Sequence, residues 1–437
     1  IHFLLNSIRD LRVIAQRSAA RFHEDKLEIA EIRDVHKVGH LLEGSVRMAG
    51  KRVRVTARLI DTSTETQLWT DVYERDLEDV FEIQNDIAAN VVHGLKIELA
   101  EKIAEARRTD PEVVALVQQA RMIFQVRDGD VGQKMTQLLE RALELDPDYL
   151  PAIEWMNNAV WLRSLEGTYP AEDFPEYDRA MRARLLELDP QNAYVIFSEG
   201  WDYWEAGDWE RASDAYQRGL AINLTDSSQV RTAAMVARSM GKLDVALRLI
   251  EHAVAIDPYC FQCIRIYSQL LLFNGDYSRA IVERERYLAV ATGGYVDLSM
   301  MLVLAGRPDE VPALWESSPD RSLQKLASLA IAAHESGDET AAQQYLEELE
   351  ERYASEANSD TQYNLARVHA WFGSKDRAFE LLMPMARDSG FDELRTRLFD
   401  PVWRDLRDDP RWQELRERLG MSQERFDAIE FDPWLPE

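Results

Sequence analysis

The chain has 437 residues, 46% apolar and 30% charged, an ordinary composition for a folded protein with a sizeable core. Its 78 Asp and Glu outweigh 51 Lys and Arg, for a formal charge of −27, so it repels nucleic acid and anionic lipid wherever its basic residues are not gathered. Two cysteines are too few for a disulfide scaffold, and no apolar run reaches the ~20 residues of a membrane span. Residues 1–110 hold 17 basic and 20 acidic residues, so nearly all of the deficit, −24, falls on residues 111–437. The chain begins at Ile1 without a signal peptide and reads as a piece of something longer. Its compartment stays open between the periplasmic side of a membrane-anchored regulator and the cytoplasm.

The first hundred residues alternate helix and strand. His2–Ile8 reads as a helix end, Leu11–Ala15 as a short buried strand, and Leu27–Val38 as an amphipathic helix with apolar residues three and four apart. From Leu41 the period becomes two. Val46, Val53, Val55, Ala57 and Leu59 point one way, while Ser45, Arg47, Arg52, Arg54, Thr56 and Arg58 point the other. With a turn at Ala49-Gly50-Lys51, this predicts an antiparallel hairpin with one buried face. A polar turn over Asp61–Thr66 leads to a third strand, Gln67–Tyr73. A long helix then runs from about Asp79 to Ala106 with Val80, Phe81, Ile83, Ile87 and Val91 inward.

LRVIAQRS (residues 11–18) and LLEGSVRMAGKRVRVTARLIDTSTETQLWTDVYERDLEDVFEIQNDIA (residues 41–88), at the spacing between them, resemble the TolB-amino-terminal-like, or FlgO-like, domain. The resemblance covers residues 1 to about 105 and implies a small α+β head over residues 1–107, often followed by tetratricopeptide repeats in bacterial proteins. That family's opening strand and most of a helix have no counterpart after Ile1. A sheet edge left uncovered in this way would favour fraying, or pairing of the head with a second copy of the chain.

Beyond residue 111 the pattern is helix pairs. Glycines at 207, 241, 275, 306, 337 and 373 recur in the expected turns, at intervals close to the 34 residues of a tetratricopeptide repeat. Five residues after each stands Ala212, Ala246, Ala280, Val311, Ala342 or Ala378, mostly small enough for helices to approach. Gly200, Ala234 and Ser268 stand on the facing helix seven residues before the first three of these turns. Asp-Pro closes three helices, at 146–147, 189–190 and 257–258. Seven or eight pairs are expected over residues 111–390, with an extra ~9 residues around Gly167–Asp173. Residues 391–437 form a carboxyl-terminal cap and tail. The predicted fold is mainly α: a tetratricopeptide solenoid, a right-handed superhelix of helix pairs, behind a truncated α+β head.

Few residues suggest chemistry. No phosphate-cradling glycine motif, nucleophile elbow or zinc-protease helix is present, and the chain reads as non-catalytic and without cofactor or metal. His36 and His40 straddle a helix end and a strand start. Arg47, Arg52, Arg54 and Arg58 suit a solvated sheet face or an anionic partner. Cys260 and Cys263 admit three readings: two small core residues, a structural disulfide, or a redox or metal site, the last of which lacks a second pair of ligands.

The candidate site is a groove along the first helices of the pairs. In the phase set by Gly207, Tyr194, Phe197, Trp201 and Trp204 would face it, followed by Arg231, Met235 and Arg238, then Gln262, Arg265 and Gln269; upstream pairs offer Asn158 and Trp161. The arrangement partly resembles the carboxylate clamp of peptide-binding tetratricopeptide domains, with Met235 and Gln269 where its paired asparagines would stand. The alternative is that the aromatics pack against neighbouring helices and the arginines pair locally. The expected function is a protein- or peptide-binding regulatory or sensory module of a larger bacterial protein, with no direct nucleic-acid binding by this fragment. The resemblance implies an upstream winged-helix transcription domain or a class III nucleotide cyclase domain. A cell-envelope scaffold is the second reading.

Overall fold

The computed structural model describes residues 13–14, 19, 27–36, 38–49, 52–76, 83, 86–87, 90–91, 109–126, 130–258, 260–289, 295–316, 322–386 and 393–435. Among them the protein is a mainly helical, tetratricopeptide-like repeat array with a small three-stranded antiparallel sheet near its start. Two compact units are distinguished: Ile1–Leu11 with Val38–Glu199, and Arg12–Lys37 with Gly200–Glu437.

The sheet comprises β1 (His40–Ala49), β2 (Arg52–Asp61) and β3 (Thr66–Asp76), in that spatial order. Ala49 pairs with Arg52 and Val55 with Tyr73, so strict alternation along the central strand buries Val53, Val55, Ala57 and Leu59 and leaves Arg52, Arg54 and Arg58 outside. Asp61 organises the β2–β3 turn by accepting from the backbone N–H of Ser63 (2.8 Å) and of Thr64 (3.2 Å). Val46 departs from expectation. It shares the inner face with Val55 but lies on an edge of the sheet as the described residues form it, and is 66% exposed. The predicted helix at Leu27–Val38 is α1 (Ile29–His36). Ile83, Ile87 and Val91 are helical and buried. The expected helix at His2–Ile8, the hairpin tip at Gly50-Lys51 and the remainder of the 79–106 helix lie outside the described residues, as does most of Leu11–Ala15, of which the described Val13 and Ile14 are not in a strand.

Eight helix pairs follow among the described residues. In the first unit these are α2 (Pro111–Val126) with α3 (Val131–Leu145), and α4 (Leu150–Leu165) with α5 (Phe174–Leu188). The extra residues expected at 167–173 form the long link inside the second pair. The third pair is α6 (Ala193–Glu205) with α7 (Trp209–Ile222). Then come α8 (Ser227–Ser239) with α9 (Leu243–Ile256), α10 (Phe261–Phe273) with α11 (Tyr277–Leu288), and α12 (Tyr295–Leu304) with α13 (Val311–Glu316). The last are α14 (Leu323–Glu335) with α15 (Glu339–Ser355), and α16 (Ser359–Trp371) with α17 (Lys375–Met385).

The sequence markers act as geometry requires. All six turn glycines have positive φ, from 72° at Gly207 to 81° at Gly275, a conformation that costs other residues ~1–2 kcal/mol. In three turns the next residue, Asp208, Asp276 or Asp338, caps the second helix by accepting from the backbone N–H three positions on. The small residues five after each glycine are fully buried. A Cβ on Gly200 would stand 2.9 Å from the Tyr216 ring, so the close approach of α6 and α7 needs glycine there. Among the described residues no helix is long and apolar enough to cross a membrane.

The carboxyl-terminal segment does more than cover the last pair. It contains α18 (Glu393–Arg397), a 3₁₀ turn (Pro401–Leu406), α19 (Pro410–Arg418) and α20 (Gln423–Ala428). The 3₁₀ turn packs on α16 and α19 on α17, where Arg411 Nη1 donates to Asp376 (2.8 Å). Meanwhile α18 packs on α8, and the chain continues back to α7. Phe426 meets Trp209 edge to face at 5.3 Å, Arg425 Nε donates to Glu210 (2.7 Å), Gln217 Nε2 donates to the Glu430 carbonyl, and Arg248 pairs with Asp432. This strap therefore touches both the α6–α7 and the α16–α17 pairs. Its own Leu398, Val402, Trp403, Leu406 and Phe426 are fully buried, each apolar side chain worth ~1.5–3 kcal/mol of transfer free energy.

Candidate binding site: arginines on the first helices

In the first unit, Asn158 on α4 donates to the Glu154 carbonyl within its own helix (3.0 Å), while Trp161 on the same helix is 40% exposed. The half-buried Tyr194 hydroxyl accepts from Asn157 Nδ2 at 3.1 Å, and burial pushes the phenol up to about 12. Phe197 is buried.

In the second unit the candidates separate by burial. Trp201 is 37% exposed and stands edge to face with Trp204, which is buried, at 4.9 Å. Arg231 and Arg265 are half-buried, as is Gln262. Arg238 and Gln269 are buried. The expectation of an open wall thus fails for Phe197, Trp204, Arg238 and Gln269. The aromatics are drawn into the helix packing, and the two polar groups turn to each other, Arg238 Nη1 donating to Gln269 Oε1 at 3.1 Å.

Gln269 leads into a network that the sequence reading did not anticipate. Its Nε2 donates to Asp297 Oδ2 on α12 (2.8 Å), which also accepts from Arg284 Nη2 on α11 (2.8 Å). Asp297 Oδ1 accepts from Arg397 Nη1 on α18 (3.2 Å). Burial works against ionised Asp297, but Arg284 first, then Arg397, the Gln269 bond and Arg265, overcome it and hold the carboxyl well below the usual range. Asp400 lies next to Arg397 and Arg367, yet burial outweighs both and raises its pKa; its Oδ1 accepts from the Val402 N–H (3.0 Å). Burial, and then the proximity of Arg397 and Arg265, pulls Arg238 down to about 9. Arg231, Arg265 and Arg284 are lowered as well, burial leading in each. The predicted Arg231, Arg238 and Arg265 do converge, joined by Arg284, Arg367 and Arg397.

Of the residues missed, Arg367 had a signal. It stands six before Gly373, the phase of Met235 and Gln269. Arg284, on a second helix, and Arg397 and Asp400, in the strap, had none. Elsewhere, Arg58 Nε donates to Glu43 (2.7 Å) and Arg52 pairs with Glu74 (3.7 Å), a solvated use of two sheet arginines. The structure joins Cys260 to Cys263 as a disulfide across the first turn of α10, with Cα atoms 5.2 Å apart. The His36 side chain lies outside the described residues.

No family model matches the chain. A Rhizobium meliloti (strain 1021) protein named "Putative adenylate cyclase 3" is 32% identical over 147 residues, 33% of this chain and 25% of that protein. The chain thus spans about a quarter of the length of the curated relative it matches. Among solved structures, the human IFIT1 dimer with PPP-AAAA is similar with a TM-score of 0.37 and 13% identity, covering 69% of this chain and 77% of that one. Pseudomonas aeruginosa PilF gives 0.32 and 16%, over 56% and 94%, and a Parabacteroides merdae tetratricopeptide repeat protein 0.29 and 13%, over 68% and 100%. At these scores the likenesses carry no functional meaning for the chain.

Proposed function

We propose that this chain is a non-catalytic binding and regulatory portion of a larger bacterial signalling or transcription-regulating protein. Residues 1–107 serve as a TolB-amino-terminal-like head, 111–390 as the repeat scaffold for a protein or peptide segment, and 391–437 as its carboxyl-terminal brace. The observation that carries the reading is the gathering of arginines on the first helices of an otherwise acidic array. Half-buried Arg231 and Arg265 lie beside buried Arg238, and half-exposed Trp201 stands on the preceding first helix. Arginine and tryptophan are the usual anchors of interfaces.

The regulatory half of a class III nucleotide cyclase is the second reading, and the Rhizobium likeness favours it over an envelope scaffold. Both can be tested with defined peptides. A fluorescein-labelled decapeptide of alternating Glu and Phe should bind the full chain, and its Lys-Phe counterpart should not. The double variant Arg231→Ala/Arg265→Ala should keep its helical circular dichroism and bind ~2–4 kcal/mol more weakly. Equal affinity of the two peptides, or no loss in the variant, retires this role for the arginines.

A further inference from the structure

The arginine cluster is under-neutralised. Arg231, Arg238, Arg265, Arg284, Arg367 and Arg397 face Asp297 and Asp400, with Asp226 at the Arg231 end. Asp297 is already shared among Arg284, Arg397 and Gln269, and Asp400 accepts from a backbone N–H with one oxygen and pairs with Arg397 through the other (3.9 Å). Among the described residues, three arginines of the first helices meet only neutral acceptors in their hydrogen bonds. Arg238 donates to Gln269, Arg265 Nε to Gln262 Oε1 (2.9 Å), and Arg231 Nη2 to Ser228 Oγ (3.2 Å).

Donors are also left over. Nε of Arg231, Arg238 and Arg367, and both Nε and Nη1 of Arg284, are buried without an acceptor among the described residues. Arg284 is completely buried, Arg367 nearly so, and Arg238 is only 4% exposed. A buried guanidinium without a counter-charge costs several kcal/mol, and removing water from such donors costs more. The chain's −27 charge opposes diffuse attraction of anions, so whatever balances these groups must be held locally. Planar guanidinium forks fit two oxygens of one oxyanion, and half-buried Arg231 and Arg265 give a route in from solvent.

We propose that Arg231, Arg238, Arg265 and Arg284 form a binding site for a small free oxyanion carrying two or more negative charges, a phosphoryl group or a polycarboxylate. The site makes the array a receptor for a diffusible metabolite, whether or not it also holds a peptide.

The test uses the full chain with sodium pyrophosphate, inorganic phosphate and citrate, each compared with sodium chloride at equal ionic strength. At least one of the three should raise the unfolding temperature by several degrees at millimolar concentration and give a saturable calorimetric isotherm. A phosphate response assigns a phosphoryl ligand, and a citrate response without it assigns a polycarboxylate. Arg284→Met tests the floor of the site but is at risk of misfolding. Arg265→Gln, half-buried, is therefore the deciding variant: it should bind roughly tenfold or more weakly, while the surface variant Arg248→Gln binds as wild type. No response beyond chloride, or equal responses in Arg265→Gln and wild type, overturns the site. Capture of the Glu-Phe peptide with no anion binding removes this inference and leaves the proposed function standing; anion binding without peptide capture does the reverse.

Discussion

Asp297 and Arg397 are separated by 100 residues, yet Asp297 Oδ1 accepts from Arg397 Nη1 at 3.2 Å. The bond joins a first helix in the middle of the second unit to the strap that follows the last helix pair. Because Asp297 Oδ2 is held by Arg284 and Gln269 at the same time, one buried carboxylate ties together α10, α11, α12 and α18.

Asp297→Ala should therefore be among the most damaging single changes in the second unit. It leaves Arg284 buried without its partner, and breaking such a pair costs ~3–5 kcal/mol. Arg397 keeps contact with solvent, so Arg397→Gln should cost less, ~1–3 kcal/mol. Urea denaturation followed by circular dichroism measures both. Equal, sub-kilocalorie losses would show that the network contributes little.

The two buried aspartates should respond oppositely to acid. The lowered pKa of Asp297 gives stability that is complete above the unfolded value of ~3.9 and is lost as pH falls below it, through the folded value. The raised pKa of Asp400 means that the folded state takes up a proton first, so this residue's contribution to stability rises as pH falls through the raised folded value towards the unfolded value of ~3.9. Relative to Asp400→Asn, wild type should thus gain stability over that interval. Its advantage over Asp297→Asn should hold constant down to ~5 and shrink below ~4. Urea midpoints at pH 7, 5.5, 4 and 3 provide the comparison, and a wild-type advantage over Asp400→Asn that declines on acidification contradicts the assignment.

Two turn glycines with nearly equal φ separate backbone strain from steric conflict. At Gly275 (φ 81°) no described atom lies within 4 Å of where a Cβ would sit, whereas at Gly241 (φ 76°) a Cβ would lie 2.7 Å from Cζ of Phe399 in the strap. Gly275→Ala should cost ~1–2 kcal/mol. Gly241→Ala should cost ~1–3 kcal/mol more, an excess that Phe399→Ala in the same chain relieves. Identical losses at the two glycines would mean that the strap yields without cost.

The Cys260–Cys263 disulfide closes a very short loop, so it restrains little of the unfolded chain, ~2 kcal/mol at most. Reduction should lower the melting temperature slightly and leave the helical signal intact. Intact mass under non-reducing conditions should show the loss of two hydrogens; two free thiols in protein from its native compartment would contradict the bond.

The array was legible because its determinants are local. Positive-φ turns demand glycine, tight helix contacts demand alanine, and Asp-Pro ends a helix, so Gly207, Ala212 and Pro190 each report on their own neighbourhood. The alternation of β2 was readable for the same reason. Exposure of Val46 was not, since it depends on what lies beside an edge strand. At the candidate site, Arg231, Arg238 and Arg265 were found by periodicity and Arg367 stood in the same phase. Arg284 and Arg397 were beyond reach: the first needs the packing of a second helix, and the second needs the strap's return path, which no local pattern encodes.

Repeat proteins commonly grow and shrink by gain or loss of whole units, because each unit meets only its neighbours. The strap removes that freedom here. Arg411 is fixed to Asp376 in the last pair while Arg425, 14 positions later in the sequence, is fixed to Glu210 in the α6–α7 pair. Inserting or deleting a pair anywhere from α8 to α15 would change the distance between those two anchors while leaving the tether between them unchanged. The number of repeats in this part of the molecule is thus set by the reach of a single peptide segment, and a lineage that keeps the strap cannot change the count without rebuilding it.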